Sequence, residues 1–114
     1  MIVECDSSES GTGCVLLQND KPVAFASRAL TKTEIAYAQI EKELLAVVFA
    51  MERFHSYVYS RKVTVHTDHR PLISIAKKSL ITAPRRLQRM LLRLQRYEFE
   101  LIVDIQARVK GRCE

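Results

Sequence analysis

The stretch TKTEIAYAQIEKELLAVVFAMERFHSYVYSRKVTVHTD, residues 31–68, decides the architecture. Thr31 with Glu34 three positions later has capping-box spacing, which predicts a helix start. Beyond it Ile40, Leu44, Val47, Val48, Met51 and Phe54 recur at spacings of three and four, with no glycine or proline between them. One long helix running to about Tyr57 is expected. Ser60-Arg61 then turns the chain into a strand at Lys62–Asp68, where Val63-Thr64-Val65-His66-Thr67 alternates. A long helix leading into a strand is the end of a crossover, so this strand is expected to lie parallel to one that precedes the helix.

Outward from that segment, the N-terminal side reads as an antiparallel meander. The strands are expected at about residues 2–6, 14–18 and 23–28, with SSESGTG as the first turn and Asn19-Asp20-Lys21-Pro22 as a tight hairpin. On the other side, Pro71 suits the first turn of a short helix with Leu72, Ile73, Ile75 and Ala76 available for packing. Pro84 opens a further helix to about Tyr97, with Leu87, Met90, Leu91 and Leu94 on one face and Arg85, Arg89, Arg93 and Arg96 on another. Phe99 to Ile105 has strand character, and residues 106–114 show no period and read as a divergent C-terminal tail. Residues 1–105 are therefore expected to form one domain.

The 114 residues suffice for a single hydrophobic core, and 47% apolar with 27% charged residues is ordinary for a globular protein. No apolar run approaches the length of a membrane span, and no signal-type segment opens the chain, so an intracellular setting without membrane association is expected. Cys5, Cys14 and Cys113 are odd in number and lack a metal-type spacing, which points to free thiols in a reducing compartment.

Charge is unevenly spread: residues 1–60 carry a balance of −3 and residues 61–114 one of +8. An acidic pocket beside a basic surface suits a polyanion brought to a cation site. Asp6 ends the first strand, Asp68 ends the strand after the crossover, and Glu43 lies on the helix between them. Parallel neighbouring strands would place Asp6 and Asp68 side by side at the sheet edge where open α/β sheets bind ligands. Clustered carboxylates repel one another unless a hard cation such as Mg²⁺ holds them, and two such ions can activate water for phosphodiester cleavage. The competing account is that each acid caps a turn, pairs with a lysine or arginine, or faces solvent. For the four arginines the corresponding choice is between following a phosphate backbone and lying on a solvated helix face. His69 adjoins Asp68, yet neighbours on a strand point to opposite faces, and Tyr37, Tyr57, Tyr59 and Tyr97 read as core or boundary packing rather than base-stacking platforms.

Several motifs stand in a specific order. They are Cys5-Asp6-Ser7-Ser8, Gly11-Thr12-Gly13-Cys14-Val15-Leu16-Leu17-Gln18, Val23-Ala24-Phe25-Ala26-Ser27-Arg28, and Tyr37-Ala38-Gln39-Ile40-Glu41-Lys42-Glu43-Leu44-Leu45-Ala46. Thr67-Asp68-His69-Arg70-Pro71-Leu72 and the helix from Arg86 to Gln95 follow. Across roughly residues 2–103 this pattern resembles the ribonuclease H domain of gypsy-type long-terminal-repeat retrotransposon reverse transcriptases.

The resemblance implies an α/β ribonuclease H-like fold: a five-stranded mixed sheet, three antiparallel strands and then parallel ones, flanked by helices. It implies hydrolysis of the RNA strand of an RNA–DNA hybrid with two Mg²⁺ ions, Mn²⁺ being an acceptable substitute. Asp6, Glu43 and Asp68 match the first three metal-binding acids, Asp6 bridging both ions. A reverse transcriptase polymerase domain in cis and a cytoplasmic or virus-like-particle setting are further implications. The family's Pro-Gly turn and Ala-Asp-x-Leu-Ser-Arg helix, which carries a fourth acid, are not matched in residues 103–114. The C-terminal helix is accordingly expected to be missing, and Asp104 comes too early to replace its acid. An alternative reading follows: the same fold kept as a catalytically impaired nucleic-acid-binding or connecting module.

Overall fold

A computed structural model describes residues 1–67 and 84–103. Its strands are β1 (Ile2–Ser7), β2 (Gly11–Gln18), β3 (Lys21–Ala29), β4 (Lys62–Thr67) and β5 (Glu98–Val103), and its helices are α1 (Lys32–Ile35), α2 (Gln39–Arg53), α3 (His55–Val58) and α4 (Arg85–Leu94). The sheet order is β3-β2-β1-β4-β5. The first three strands pair antiparallel, and β4 pairs parallel with both β1 and β5. The expected α/β mixed sheet is thus present. The short helix expected after Pro71 and the tail from residue 104 lie outside the described residues.

Local chemistry accounts for the meander. Asn19 and Asp20 adopt φ of 53° and 66°, the left-handed pair that a two-residue hairpin requires. Register slips between Leu16 and Leu17, pairing them with Ala24 and Pro22, so Val23 is the extra residue of a bulge. Pro22, which has no N–H to donate, is accommodated because β3 is the edge strand.

The single helix expected from Thr31 to about Tyr57 is instead three segments. The capping box is present: Thr31 Oγ1 accepts the Glu34 N–H at 3.2 Å, and Glu34 Oε1 accepts the Thr31 N–H at 2.9 Å. That helix stops after one turn, however. A new start follows at Gln39, where the Glu41 carboxylate accepts the Ala38 N–H at 2.8 Å. Arg86 of α4 binds the same Glu41 carboxylate at 3.0 Å and lies 4.1 Å from the Tyr37 ring centroid, so partners distant in sequence hold the interruption in place. At the other end α2 gives way at Phe54, and Ser60, with φ of 66°, turns the chain into β4. The helix expected from Pro84 to Tyr97 ends at Leu94.

The core lies between the sheet and the layer formed by α2 and α4. Val3, Cys5, Leu16, Val63 and Val65 from the strands meet Leu44, Val47, Val48 and Met51 of α2 and Leu87, Met90, Leu91 and Leu94 of α4. The apolar faces read from the three-and-four spacing are the buried ones, Ile40 being partly buried at the rim.

Candidate active site

Asp6 is the penultimate residue of β1 and is partly buried. Its Oδ1 accepts the Ser7 N–H at 2.9 Å, and its carbonyl accepts the Thr12 hydroxyl at 3.2 Å across the β1–β2 pair. Asp6 also borders a concave pocket of about 530 Å³ walled by Ser8, Ser10, Thr12, Ser27 and Arg28. Arg28 is fixed in that wall by Glu34, which accepts both guanidinium hydrogen bonds, at 2.9 and 2.6 Å. Those bonds hold the Glu34 carboxyl below the usual carboxylate range.

Glu43 sits one turn into α2 and is only 4% exposed. Its Oε1 accepts the Gln39 side-chain amide at 2.8 Å. A carboxylate this deep needs hydrogen bonds or a cation to offset lost hydration. Lys42, also buried, directs its ammonium to the Glu9 carbonyl at 3.4 Å and so ties α2 to the β1–β2 turn.

The two acids act on one neighbourhood. Burial pushes the Cys5 thiol well up, and Cys14 and the negative charges of Glu43, Asp6 and Glu4 push it further. Cys14 stands directly across from Cys5 in the β1–β2 register, and burial raises its thiol to about 12. Asp6 and Glu43 thus both lie close enough to Cys5 for their charges to act on its thiol. β4 runs beside β1 in parallel, with Glu4 opposite His66, so the two strands end on the same side. Asp68 follows Thr67 in sequence and lies outside the described residues. Among the described residues no three His, Cys, Asp or Glu side chains make up a metal-sized group. The donors present, Asp6 and Glu43, are oxygen donors of the type hard cations take. Beside them the Ser7 hydroxyl is buried without a hydrogen-bond partner among the described residues.

Arg85 and Arg89 project from α4 into solvent and have no ion-pair partner among the described residues. Arg93 and Arg96 share an acid that the helix's own sequence does not reveal. Glu52 of α2 accepts Arg93 Nε at 3.0 Å and a second, shorter bond from the same guanidinium, and it lies 3.6 Å from Arg96 Nη2.

A family described as the RNase H-like domain found in reverse transcriptase matches residues 1–97. The chain belongs to that family. It is 40% identical over 101 residues to the Pol polyprotein of the Drosophila melanogaster transposon 412, covering 85% of this chain and 8% of that protein. It is 37% identical over 100 residues to the polyprotein of transposon 297 from the same species, covering 88% of this chain and 9% of that one. The chain thus spans less than a tenth of either relative. Among solved structures, the foamy viral protease-reverse transcriptase in complex with RNA/DNA hybrid matches with a TM-score of 0.75 at 20% identity. That match covers 92% of this chain and 15% of the viral one. The ribonuclease H-like fold is thereby established for this domain.

Three features of the site escaped the sequence reading. Gln39 and Lys42 are ordinary polar residues in a helix until the distances to Glu43 and Glu9 are known, although the i, i+4 spacing of Gln39 and Glu43 was available as a signal. Glu4 is 2% exposed and faces His66 Nδ1 at 3.6 Å. Of the other aromatic residues, His55 binds the Tyr97 hydroxyl at 2.6 Å and stacks on Tyr59. Tyr97 is buried in the core and Tyr59 packs at its boundary, edge-on to Tyr97, while Tyr57 is 42% exposed.

Proposed function

We propose that this RNase H-like domain hydrolyses the RNA strand of RNA–DNA hybrids within a retrotransposon Pol polyprotein, with Asp6, Glu43 and Asp68 as carboxylate ligands for Mg²⁺ or Mn²⁺. The observation that carries the reading is the match of residues 1–97 to the RNase H-like domain of reverse transcriptase, supported by a partly buried Asp6 and a buried Glu43 whose charges both act on the Cys5 thiol. Divalent ions held by Asp6, Glu43 and Asp68 would supply Lewis-acid chemistry for attack of water on the phosphodiester. The chain's own residues do the rest. Gln39 and the surrounding core hold Glu43, while the Ser7 N–H orients Asp6. The serine- and threonine-lined pocket beside Asp6 receives the backbone next to the cleaved bond. Arg85 and Arg89 follow phosphates along α4 without reading bases, and Arg93 and Arg96 lie on the same face as further phosphate ligands once freed from Glu52. A polymerase domain joined in cis would present the hybrid.

The test is cleavage of an end-labelled RNA–DNA hybrid in Mg²⁺ and in Mn²⁺, beside Asp6→Asn, Glu43→Gln and Asp68→Asn variants. Cleavage by the parent chain and its loss in all three variants is expected. Hybrid binding without cleavage in either metal would overturn the catalytic reading. Cleavage that survives Asp68→Asn would overturn the ligand assignment.

A further inference from the structure

Gln39 and Glu43 lie one turn apart on the same face of α2, and the Gln39 amide donates to Glu43 Oε1 at 2.8 Å. Gln39 has its backbone at the exposed end of the helix, while Glu43 is 4% exposed, so the amide reaches inward to the acid. A glutamate has three side-chain torsions, and fixing them before a ligand arrives lowers the entropic cost of binding. The chemistry of the donor matters as much as its place. A lysine or arginine at this position would hold the same oxygen but would cancel its charge and repel an incoming cation. A neutral amide orients the carboxylate and leaves its charge intact. The adjacent cation, Lys42, is directed to the Glu9 carbonyl at 3.4 Å and does not hydrogen-bond to Glu43.

We infer that Gln39 is a positioning residue that presets Glu43 to accept a hard divalent cation. The inference rests on the reading of Asp6 and Glu43 as metal ligands. It is tested on the full chain by calorimetric Mg²⁺ titration without nucleic acid and, separately, by steady-state hybrid cleavage. Gln39→Ala is expected to weaken Mg²⁺ binding about tenfold, as loss of an outer partner of a metal ligand does, and to lower kcat while KM for the hybrid stays unchanged. Gln39→Lys, which keeps a donor within reach, is expected to bind Mg²⁺ more weakly still, because it brings a positive charge. A purely structural role predicts the reverse order, with the lysine variant close to the parent. Mg²⁺ affinity unchanged in both variants overturns the inference. If Gln39→Ala fails to fold, the lysine variant alone decides it. A parent chain that binds no Mg²⁺ overturns the ligand assignment itself, and the role of Gln39 falls with it.

Discussion

Replacing Glu52 by glutamine separates the two roles open to the α4 arginines. In the native chain Glu52 binds Arg93 and Arg96, whose side chains are 52% and 55% exposed against 28% for Glu52. Contacts so open to water contribute about 0–1 kcal/mol to stability, so Glu52→Gln is expected to leave the fold intact. Its effect on binding should be larger. The substitution releases two guanidinium groups on the face that already carries Arg85 and Arg89. Each phosphate contact to a duplex adds about 0.9 to the slope of log affinity against log salt. At a salt concentration of about 0.15 M, that is roughly fivefold in affinity per contact. Glu52→Gln is therefore expected to steepen the slope by about one to two contacts and tighten hybrid binding by at least fivefold. Arg85→Ala and Arg89→Ala should each flatten it by about one contact. The assay is fluorescence anisotropy with a labelled hybrid in chelator, titrated from about 50 to 200 mM salt, a range over which each contact costs roughly 3.5-fold. A slope unchanged by Glu52→Gln and by both alanine variants would refute α4 as the phosphate-following face.

Leu94, 2% exposed where α4 meets the core, should cost about 2–5 kcal/mol when changed to alanine, read as a drop in denaturant midpoint with little change in m-value. Ser60 has φ of 66° and is exposed, so Ser60→Gly removes left-handed strain of about 1–2 kcal/mol and adds flexibility to the unfolded chain. A net gain of about 0.5–1 kcal/mol by chemical denaturation is expected. Cys14 titrates at about 12 when folded and near 9.0 otherwise, and Cys5 is shifted in the same direction. The folded state therefore holds these protons more tightly than the unfolded one. That contribution is fully present below about pH 9 and is lost as pH rises towards 12, which an alkaline denaturation series on the parent and a Cys14→Ala variant would detect.

What could be read from sequence was whatever local periodicity or turn chemistry determines. The apolar stripe of α2, the Asn19-Asp20 hairpin and the parallel placement of β4 against β1 all follow from patterns within one or two elements. The placement of Asp6 near the end of β1 and of Glu43 in the first half of α2 was also legible, from strand and helix patterning alone. The break at residues 36–38 was not. Nothing in Ala36-Tyr37-Ala38 opposes a helix, and the interruption depends on Glu41 and Arg86, which are 45 residues apart. The pairing of Glu52 with Arg93 and Arg96 is hidden for the same reason. Long-range ion pairs between helices leave no periodic trace in either partner.

The break also joins the basic helix to the proposed metal ligands. A helix continuous from Thr31 would fix the direction of Glu43 by its distance from the first turn. Once interrupted, α2 takes its phase from its own start, where Glu41 caps the Ala38 N–H while Arg86 of α4 grips the same carboxylate. Gln39 and Glu43 inherit that phase one and five residues on, and Lys42 pins the same turn of α2 to the β1–β2 loop beside Asp6. The surface that would carry phosphates and the carboxylates that would hold the cation are thus set by one helix start. In the proposed reaction a scissile phosphate would reach the cation while its neighbours lay along α4, and positioning to within an ångström governs the rate of such reactions. Anchoring both to the first turn of α2 fixes the distance between them without a further element.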